Sequence, residues 1–530
     1  DMVYSTSIKM VIILIVGTAT GIIANHFVAL FATNFTKKNR KLLIRNLESL
    51  TVDQVNDFGV ASLVTRMGND NNNAQRLIVA FFQMILPSPI MAVISIFMTI
   101  KLSPTLALIP LFTILVFALA IVLTLFKSLP YILKVQKKLD RMTLVLRERF
   151  IGAKIIRAFD NSKKERDKFN DVAQEYTDNY IIINKKFALL SPMAFALMSV
   201  VITLIIFFGA MKVLNNTLEI GSITAIVEYS LTTIAALIMS SMVLVQMPKA
   251  VVSIERIEEV LNVTSEIKDK EELKDNSYYE DILKQNPISL TFDNVCFRYK
   301  GAEKQILKNI SFSVKAGERF AIVGATGSGK STIAKVLLRL NDIESGRILI
   351  NGVDALDLPL NCLRNQISYT PQKAYIFSGK IKDNFRFTNK DMTDKEMIKI
   401  AKIAQSYDFI DSLPDKFDSF VAQGGINFSG GQKQRLSIAK ALSKDANIYL
   451  FDDSFSALDY ATDAKLRKEL KTFLKDKITI IIAQRLNTIA DADKIIVLKD
   501  SEITGMGTHQ ELLESNQEYI ELAKSQGILE

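Results

Sequence analysis

Two cysteines, Cys296 and Cys362, are all that 530 residues contain, and both fall in the second half of the chain. Two thiols make no disulfide framework and fit a reducing cytosol. Low-complexity sequence is limited to the run Asn71, Asn72 and Asn73, which reads as a polar helix face rather than a site. Short-period repeats are missing. The opening stretch has neither a basic start nor a small-residue cleavage site, so no cleavable signal peptide is expected. Charged residues are scarce in the apolar stretches before residue 245, where the 49% apolar content concentrates. After residue 262 the chain reads as an ordinary α/β domain. A chain of this length exceeds one hydrophobic core, so at least two domains are expected.

The formal charge of +9 first raises nucleic-acid binding. Its distribution argues otherwise. Lys37, Lys38, Arg40, Lys41 and Arg45 share one connection; Lys134, Lys137, Lys138, Arg141, Arg147, Arg149, Lys154 and Arg157 share another. The connections on the other side carry little beyond Lys101 and Lys212. That asymmetry marks the basic loops as cytoplasmic. A bilayer therefore explains the charge, and no nucleic-acid partner is expected.

Five stretches are long enough to span a bilayer, which takes about 20 mainly apolar residues: 10–35, 81–100, 106–126, 187–214 and 223–247. Any one alone could be a buried soluble helix; five with matching loop charge could not. Two connections are short, and two, 36–80 and 127–186, are long and helix-permissive, with tips near 58–65 and 152–159. Five spans place the N-terminus outside if the last domain is inside, so a preceding helix is expected to be missing from this sequence. The expected division is a membrane domain at 1–262, a charged linker at 263–287 and a soluble domain at 288–530.

The soluble part opens with strand-like runs at 288–299 and 310–314. The strand at 319–323 leads into Gly324-Ala-Thr326-Gly327-Ser328-Gly329-Lys330-Ser331-Thr332 and then a helical stretch. This is a phosphate loop in its strand–loop–helix context. Glycines let successive N–H groups turn inward toward phosphate oxygens, and the helix start adds its positive dipole end. Lys330 should reach the β- and γ-phosphates of ATP, and the Ser331 hydroxyl should ligate Mg²⁺. A chance match is expected roughly 0.02 times in such a chain. A second apolar strand, 448–451, ends in Asp452, placed to hold the Mg²⁺ shell. Phe428-Ser429-Gly430-Gly431-Gln432 resembles the LSGGQ signature of the ATP-binding cassette class with Phe at its first position, which implies an element that acts only when two such domains face each other, closing on the partner's nucleotide.

With these motifs the chain resembles a subunit of the ATP-binding cassette (ABC) exporters, a polytopic all-α membrane domain fused to an α/β P-loop domain. The resemblance covers nearly the whole chain apart from the usual first membrane helix. It implies ATP hydrolysis coupled to export across the cytoplasmic membrane. It also implies that Tyr299 stacks on adenine, that Gln372 ligates Mg²⁺ and senses the membrane domain, and that Ser456-Ala-Leu-Asp459 crosses between the two nucleotide domains. The tips near 58–65 and 152–159 match coupling helices, and His509 matches a structural feature.

Three departures from the family pattern stand out. Asp453 occupies the place of the usual Glu base, about 1.5 Å shorter in reach. Gln484 replaces the histidine that contacts the γ-phosphate, and Gln423 stands where Glu is common. Asp453 and Gln484 weaken the same hydrolytic step while every ATP-binding residue remains. The resemblance therefore points to the degenerate-site half of a heterodimer, its intact signature completing the partner's competent site. A slow homodimer and an ATP-gated, channel-like protein are the alternatives; a soluble DNA-acting ATPase is opposed by the five spans. In the membrane, Glu228, Asn25 and His26 are the polar candidates, with helix–helix hydrogen bonding the equal alternative for the latter two. Phe195, Met198, Met239 and Met242 could line an adaptable surface for amphipathic small molecules or simply pack.

Overall fold

The fold is that of a computed structural model, which describes residues 2–270, 276–283 and 287–529. Packing divides the chain into two units, Asp1–Ser49 with Val55–Thr264 and Leu50–Gln54 with Ser265–Glu530.

Among the described residues of the first unit, five helices are long and apolar enough to cross a membrane: Val3–Ser49, Val60–Leu102, Leu108–Ile151, Ser162–Leu214 and Ile220–Ser240. Each overlaps one of the five stretches expected from hydropathy, and the first four run well beyond theirs. The first helix, Met2–Ser49, has 48 residues. At 1.5 Å per residue it is roughly 70 Å long, more than twice the hydrocarbon thickness. The charged sequence of the two long connections is rich in good helix formers, so the helices continue there where the lipid ends.

The long connections are accordingly helical hairpins. Gly59, at φ 74°, breaks the first into Val52–Phe58 and Val60–Thr65. The second tip is the short helix Ala153–Ala158. Both tips expose apolar side chains: Val60 and Val64 in one, Phe150, Ile151, Ile155 and Phe159 in the other.

Packing within this unit comes in small clusters, as expected where lipid covers most apolar surface. Phe117, Ile121, Leu190, Ala194 and Ile234 form one, and Leu106, Val201, Ile205 and Ile226 another. Polar groups pin the helices at two levels. Asn25 Oδ1 accepts from Gln83 Nε2 at 3.0 Å, the helix–helix hydrogen bond weighed for Asn25, whereas the His26 ring lies edge-to-face with that of Phe27. Lower down, Asp70 accepts from Ser253 at 2.9 Å and Arg66 pairs with Glu259 at 2.8 Å, beside a π-helical turn at Arg66–Asp70. Glu228 is exposed, as are Phe195 and Met239, while Met198 packs against the Phe117 cluster. The side chain of Met242 lies outside the described residues.

Among the described residues the second unit has twelve strands: β1 (Ser289–Phe297), β2 (Leu307–Lys315), β3 (Arg319–Gly324), β4 (Ser345–Ile350), β5 (Val353–Asp354), β6 (Ile367–Thr370), β7 (Gly379–Lys380), β8 (Phe420–Val421), β9 (Ile448–Asp452), β10 (Ile478–Ile482), β11 (Lys494–Lys499) and β12 (Glu502–Gly507). The central sheet runs β12-β11-β3-β10-β9-β6, parallel except for the antiparallel β12 edge. An antiparallel sheet, β2-β1-β4-β5, stands beside it. Successive strand residues point to opposite faces. Ala321, Val323, Tyr449, Phe451 and Ile481 enter one core; Phe320, Ile322, Ile448, Leu450 and Ile480 enter the other. With both faces covered, the strands read as unbroken apolar runs.

The segment expected to be a bare linker contains a helix, Asn276–Leu283. Tyr279 and Leu283 bury themselves in the second core, one helical turn apart. Residues 271–275 and 284–286 of that segment lie outside the described residues.

Candidate nucleotide-binding site

In an open parallel sheet, ligands bind beyond the carboxyl ends of the strands. Here β3, β9 and β10 deliver Gly324, Asp452 and the residues before Gln484 to that edge. The loop after β3 turns sharply. Gly324, Gly327 and Gly329 have φ of 155°, 86° and 99°. A Cβ on Gly329 would lie 2.6 Å from the Ile306 carbonyl oxygen, so a glycine is required there by space as well as by dihedral.

Lys330 opens the helix Lys330–Leu337 and arches back over the loop, donating to the carbonyls of Gly324 at 2.8 Å and Ala325 at 2.7 Å. Burial lowers its ammonium pKa from the usual lysine value, while Asp453 and Asp452 act in the opposite sense. In the same loop Ser328 Oγ is buried with no hydrogen-bond partner among the described residues. A phosphate oxygen would satisfy it, and would take the Lys330 ammonium from the two carbonyls.

Asp452, at the end of β9, is buried. Its two oxygens accept from Ser331 Oγ at 2.9 Å and from the Tyr369 hydroxyl at 3.3 Å. Burial pushes its carboxyl up, and these two hydrogen bonds pull it back. Tyr369 was not expected from the sequence; a tyrosine in β6 carries no motif, and only the pairing of β6 with β9 brings it here.

The next residue, Asp453, adopts left-handed backbone at φ 46°, and its N–H donates to the Ile482 carbonyl of β10 at 2.8 Å. Its carboxylate accepts from Gln372 Nε2 at 3.1 Å. Lys330, Ser331, Gln372, Asp452 and Asp453 are thus gathered into one set. Gln484 follows β10 and is exposed.

Tyr299 lies just past β1, its ring edge-on to Phe297 at 4.9 Å. The Lys335 ammonium donates to its hydroxyl at 3.0 Å, and the Thr332 hydroxyl is 3.4 Å away. The phosphate-loop helix therefore sets the position of this ring.

Ser429 to Gln432 are outside that set among the described residues. Ser429 caps the helix Gly430–Leu442: its Oγ accepts from the Gln432 N–H at 3.3 Å, while Gln432 Oε1 accepts from the Ser429 N–H at 2.9 Å. Phe428 anchors the turn in the core, edge-on to Phe409. A Cβ on Gly431 would reach 3.5 Å from the Ala457 carbonyl, which places the signature beside the 456–459 turn. There Ser456 donates to the Asp453 carbonyl at 2.9 Å and Asp459 caps the helix Tyr460–Phe473. Gln423 sits in the short turn Gln423–Gly425 ahead of the signature. His509 Nδ1 lies 2.6 Å from the hydroxyl of fully buried Tyr519.

Family models match both units: ABC transporter transmembrane region over residues 2–237, and ABC transporter over residues 307–456. The uncharacterized ABC transporter ATP-binding protein YfiB of Bacillus subtilis (strain 168) is 32% identical over 517 residues, 98% of this chain and 88% of that protein. The chain belongs to the ABC transporter family. A second relative, the ATP-dependent lipid A-core flippase of Desulfotalea psychrophila, is 33% identical over 387 residues, 73% of this chain and 66% of that protein. Among solved structures, a bacterial Atm1-family ABC exporter with ATP bound superposes with a TM-score of 0.80 at 24% identity, covering 94% of this chain and 86% of that one. That likeness is one of fold.

This ABC transporter is a multi-pass membrane protein with a cytoplasmic nucleotide-binding domain, and it couples ATP hydrolysis to export. Its donor set suits Mg²⁺, which prefers hard oxygen ligands: the Ser331 hydroxyl and the Asp452 carboxylate already lie 2.9 Å apart, with the Gln372 side chain nearby on Asp453. The loop geometry makes a direct prediction. Gly329→Ala should lower nucleotide affinity about tenfold or more and stability by about 2 kcal/mol, from forced φ and clash together. Gly327→Ala, with open space around its Cβ, should cost about 1 kcal/mol for dihedral alone. Nucleotide titration and thermal unfolding of the two variants check the difference.

Proposed function

We propose that this chain is the ATP-retaining, weakly hydrolytic half of a two-subunit exporter of amphipathic small molecules such as drugs, lipids or peptides. The reading adopts a membrane domain at 1–262, a linker at 263–287 and a nucleotide-binding domain at 288–530. The observation that carries it is the pairing of Asp453 and Gln484 at the carboxyl edge of a sheet whose ATP-binding residues are otherwise complete.

In this reading Tyr299 stacks on the base, and Gly324, Thr326, Gly327, Ser328, Gly329 and Thr332 form the phosphate cradle. Lys330 leaves the Gly324 and Ala325 carbonyls for phosphate oxygens. Ser331, Gln372 and Asp452 hold Mg²⁺, which neutralises phosphate charge when bound. Asp453 orients water poorly: its carboxylate is short for the task and already bonded to Gln372. Gln484 donates a neutral hydrogen bond to the terminal phosphate where a histidine could carry charge. ATP therefore stays. Ser429, Gly430, Gly431 and Gln432 meet the nucleotide held by the partner subunit, where turnover takes place. Closure of the two domains on ATP is passed to the membrane helices through the tips Val60–Thr65 and Ala153–Ala158.

The substrate class is supported by the name of the lipid A-core flippase among the relatives and by the apolar lining available from Phe195, Met198 and Met239. Purified alone in vesicles, the chain should bind ATP yet hydrolyse it at a small fraction of the rate of the assembled pump. Adding a partner that carries Glu and His at the matching positions should restore turnover. Full turnover by the isolated chain would instead establish a self-sufficient homodimer.

A further inference from the structure

The last described helix, Gln517–Ser525, ends in a glycine turn. Gly527, at φ 68°, lets its own N–H reach the Lys524 carbonyl at 3.1 Å and the Ile528 N–H reach the Ala523 carbonyl at 2.9 Å. The turn sends Ile528 and Leu529 back onto the core that contains Tyr519 and Ala523. It also fixes Gln526, whose side chain faces the segment leaving β10. Gln526 Nε2 donates to the Gln484 carbonyl at 2.8 Å, and its Oε1 accepts from the Leu486 N–H at 2.8 Å.

One primary amide thereby satisfies both backbone groups flanking Arg485, in the manner of a strand partner. The Arg485 carbonyl has a partner of its own, the Thr488 N–H at 3.2 Å, so the Gln526 amide serves the backbone groups on either side of it. The Ala483 N–H is the last before Gln484 to bond within the sheet, to the Ile322 carbonyl at 3.1 Å. Beyond it Gln484 and Arg485 are exposed, until Leu486 is buried again. Loop backbone without such a tie samples many orientations, and fixing one residue costs about 1–2 kcal/mol of entropy.

We propose that Gln526 is a positioning residue for the nucleotide site: by clamping the backbone on both sides of Arg485, it aims the Gln484 side chain at the terminal phosphate. The inference rests on the reading that Gln484 contacts that phosphate. It ties the turn after the helix Gln517–Ser525 to the step at which ATP is told from ADP, and it acts through backbone alone.

The test compares ATP and ADP affinity in the full-length chain in vesicles, because a contact to the terminal phosphate changes their ratio and a general loss of structure lowers both. Gln526→Met keeps the length and packing but removes both hydrogen bonds; Gln526→Glu keeps the acceptor for Leu486. The ATP-over-ADP preference should fall about three- to tenfold in Gln526→Met, with an intermediate loss in Gln526→Glu and ADP affinity unchanged. Gln484→Ala should show a similar loss, and Gln484→Ala with Gln526→Met no more than Gln484→Ala alone. Amide exchange at Leu486 should quicken in Gln526→Met. Unchanged exchange would overturn the clamp itself. Faster exchange with an intact nucleotide preference, while Gln484→Ala loses it, would overturn the positioning role. If Gln484→Ala keeps the preference, the phosphate contact is wrong and the role of the clamp falls with it.

Discussion

Asp453→Glu combined with Gln484→His should raise the ATPase rate of the isolated chain about a hundredfold. General-base catalysis contributes roughly 10²–10⁴-fold and depends on reach. Glutamate at position 453 adds one methylene toward the water beyond the terminal phosphate, at a modest cost in the left-handed backbone there, which aspartate tolerates better. A histidine at 484 adds a donor that can carry charge, and hydrogen bonds to charged groups are worth about twice neutral ones.

The two changes should not be independent. The Asp453 N–H is bonded to the Ile482 carbonyl at 2.8 Å, so both side chains hang from one backbone junction. Neighbours that share a junction couple by about 0.5–3 kcal/mol. Each single variant is therefore expected to gain much less than half of the logarithmic total. Steady-state phosphate release, with nucleotide binding measured in parallel, decides the matter. A double variant that binds ATP normally and stays within about threefold of the parent rate would show that these residues do not limit the site.

Much of this architecture was open to reading because it rests on short-range rules. Hydropathy located all five spans, since lipid leaves no other choice for apolar runs of that length. The phosphate loop and the signature were visible because each needs glycines at fixed offsets. The strands before Gly324 and Asp452 were visible because a parallel sheet covered on both faces allows only apolar residues.

What stayed hidden depends on distant partners. The membrane helices overrun their apolar stretches, and nothing in composition says where a charged helix ends. The helix Asn276–Leu283 was hidden by its charged surroundings, although Tyr279 and Leu283 anchor it. Tyr369 reaches Asp452 across 83 residues and Gln526 reaches Gln484 across 42. Neither has a local signature, because strand pairing and the turn at Gly527 create the two contacts.

The second large effect separates the two sites of the assembled pump. Ser429 is both a helix cap and, in the proposed reading, a group presented to the partner's nucleotide. Ser429→Ala would blur these roles, since losing a cap costs about 1 kcal/mol. Ser429→Asp does not, because aspartate caps as well as serine and complements the positive end of the helix Gly430–Leu442. It does bring a negative charge toward the partner's terminal phosphate. In a closed, water-poor interface, like charges at close range repel strongly enough to prevent closure. Ser429→Asp should therefore keep its thermal stability within about 1 kcal/mol of the parent while two-subunit ATPase and transport fall about a hundredfold or more. Lys330→Ala, by contrast, should empty this chain's own site and leave much of the partner's turnover in place. That ordering follows from the proposed reading, in which Lys330 belongs to the set gathered around Asp452 and Asp453, whereas Ser429 caps a different helix and bonds to none of that set among the described residues. Equal losses from the two variants, or a pump indifferent to Ser429→Asp, would mean that the signature of this chain does not complete the competent site.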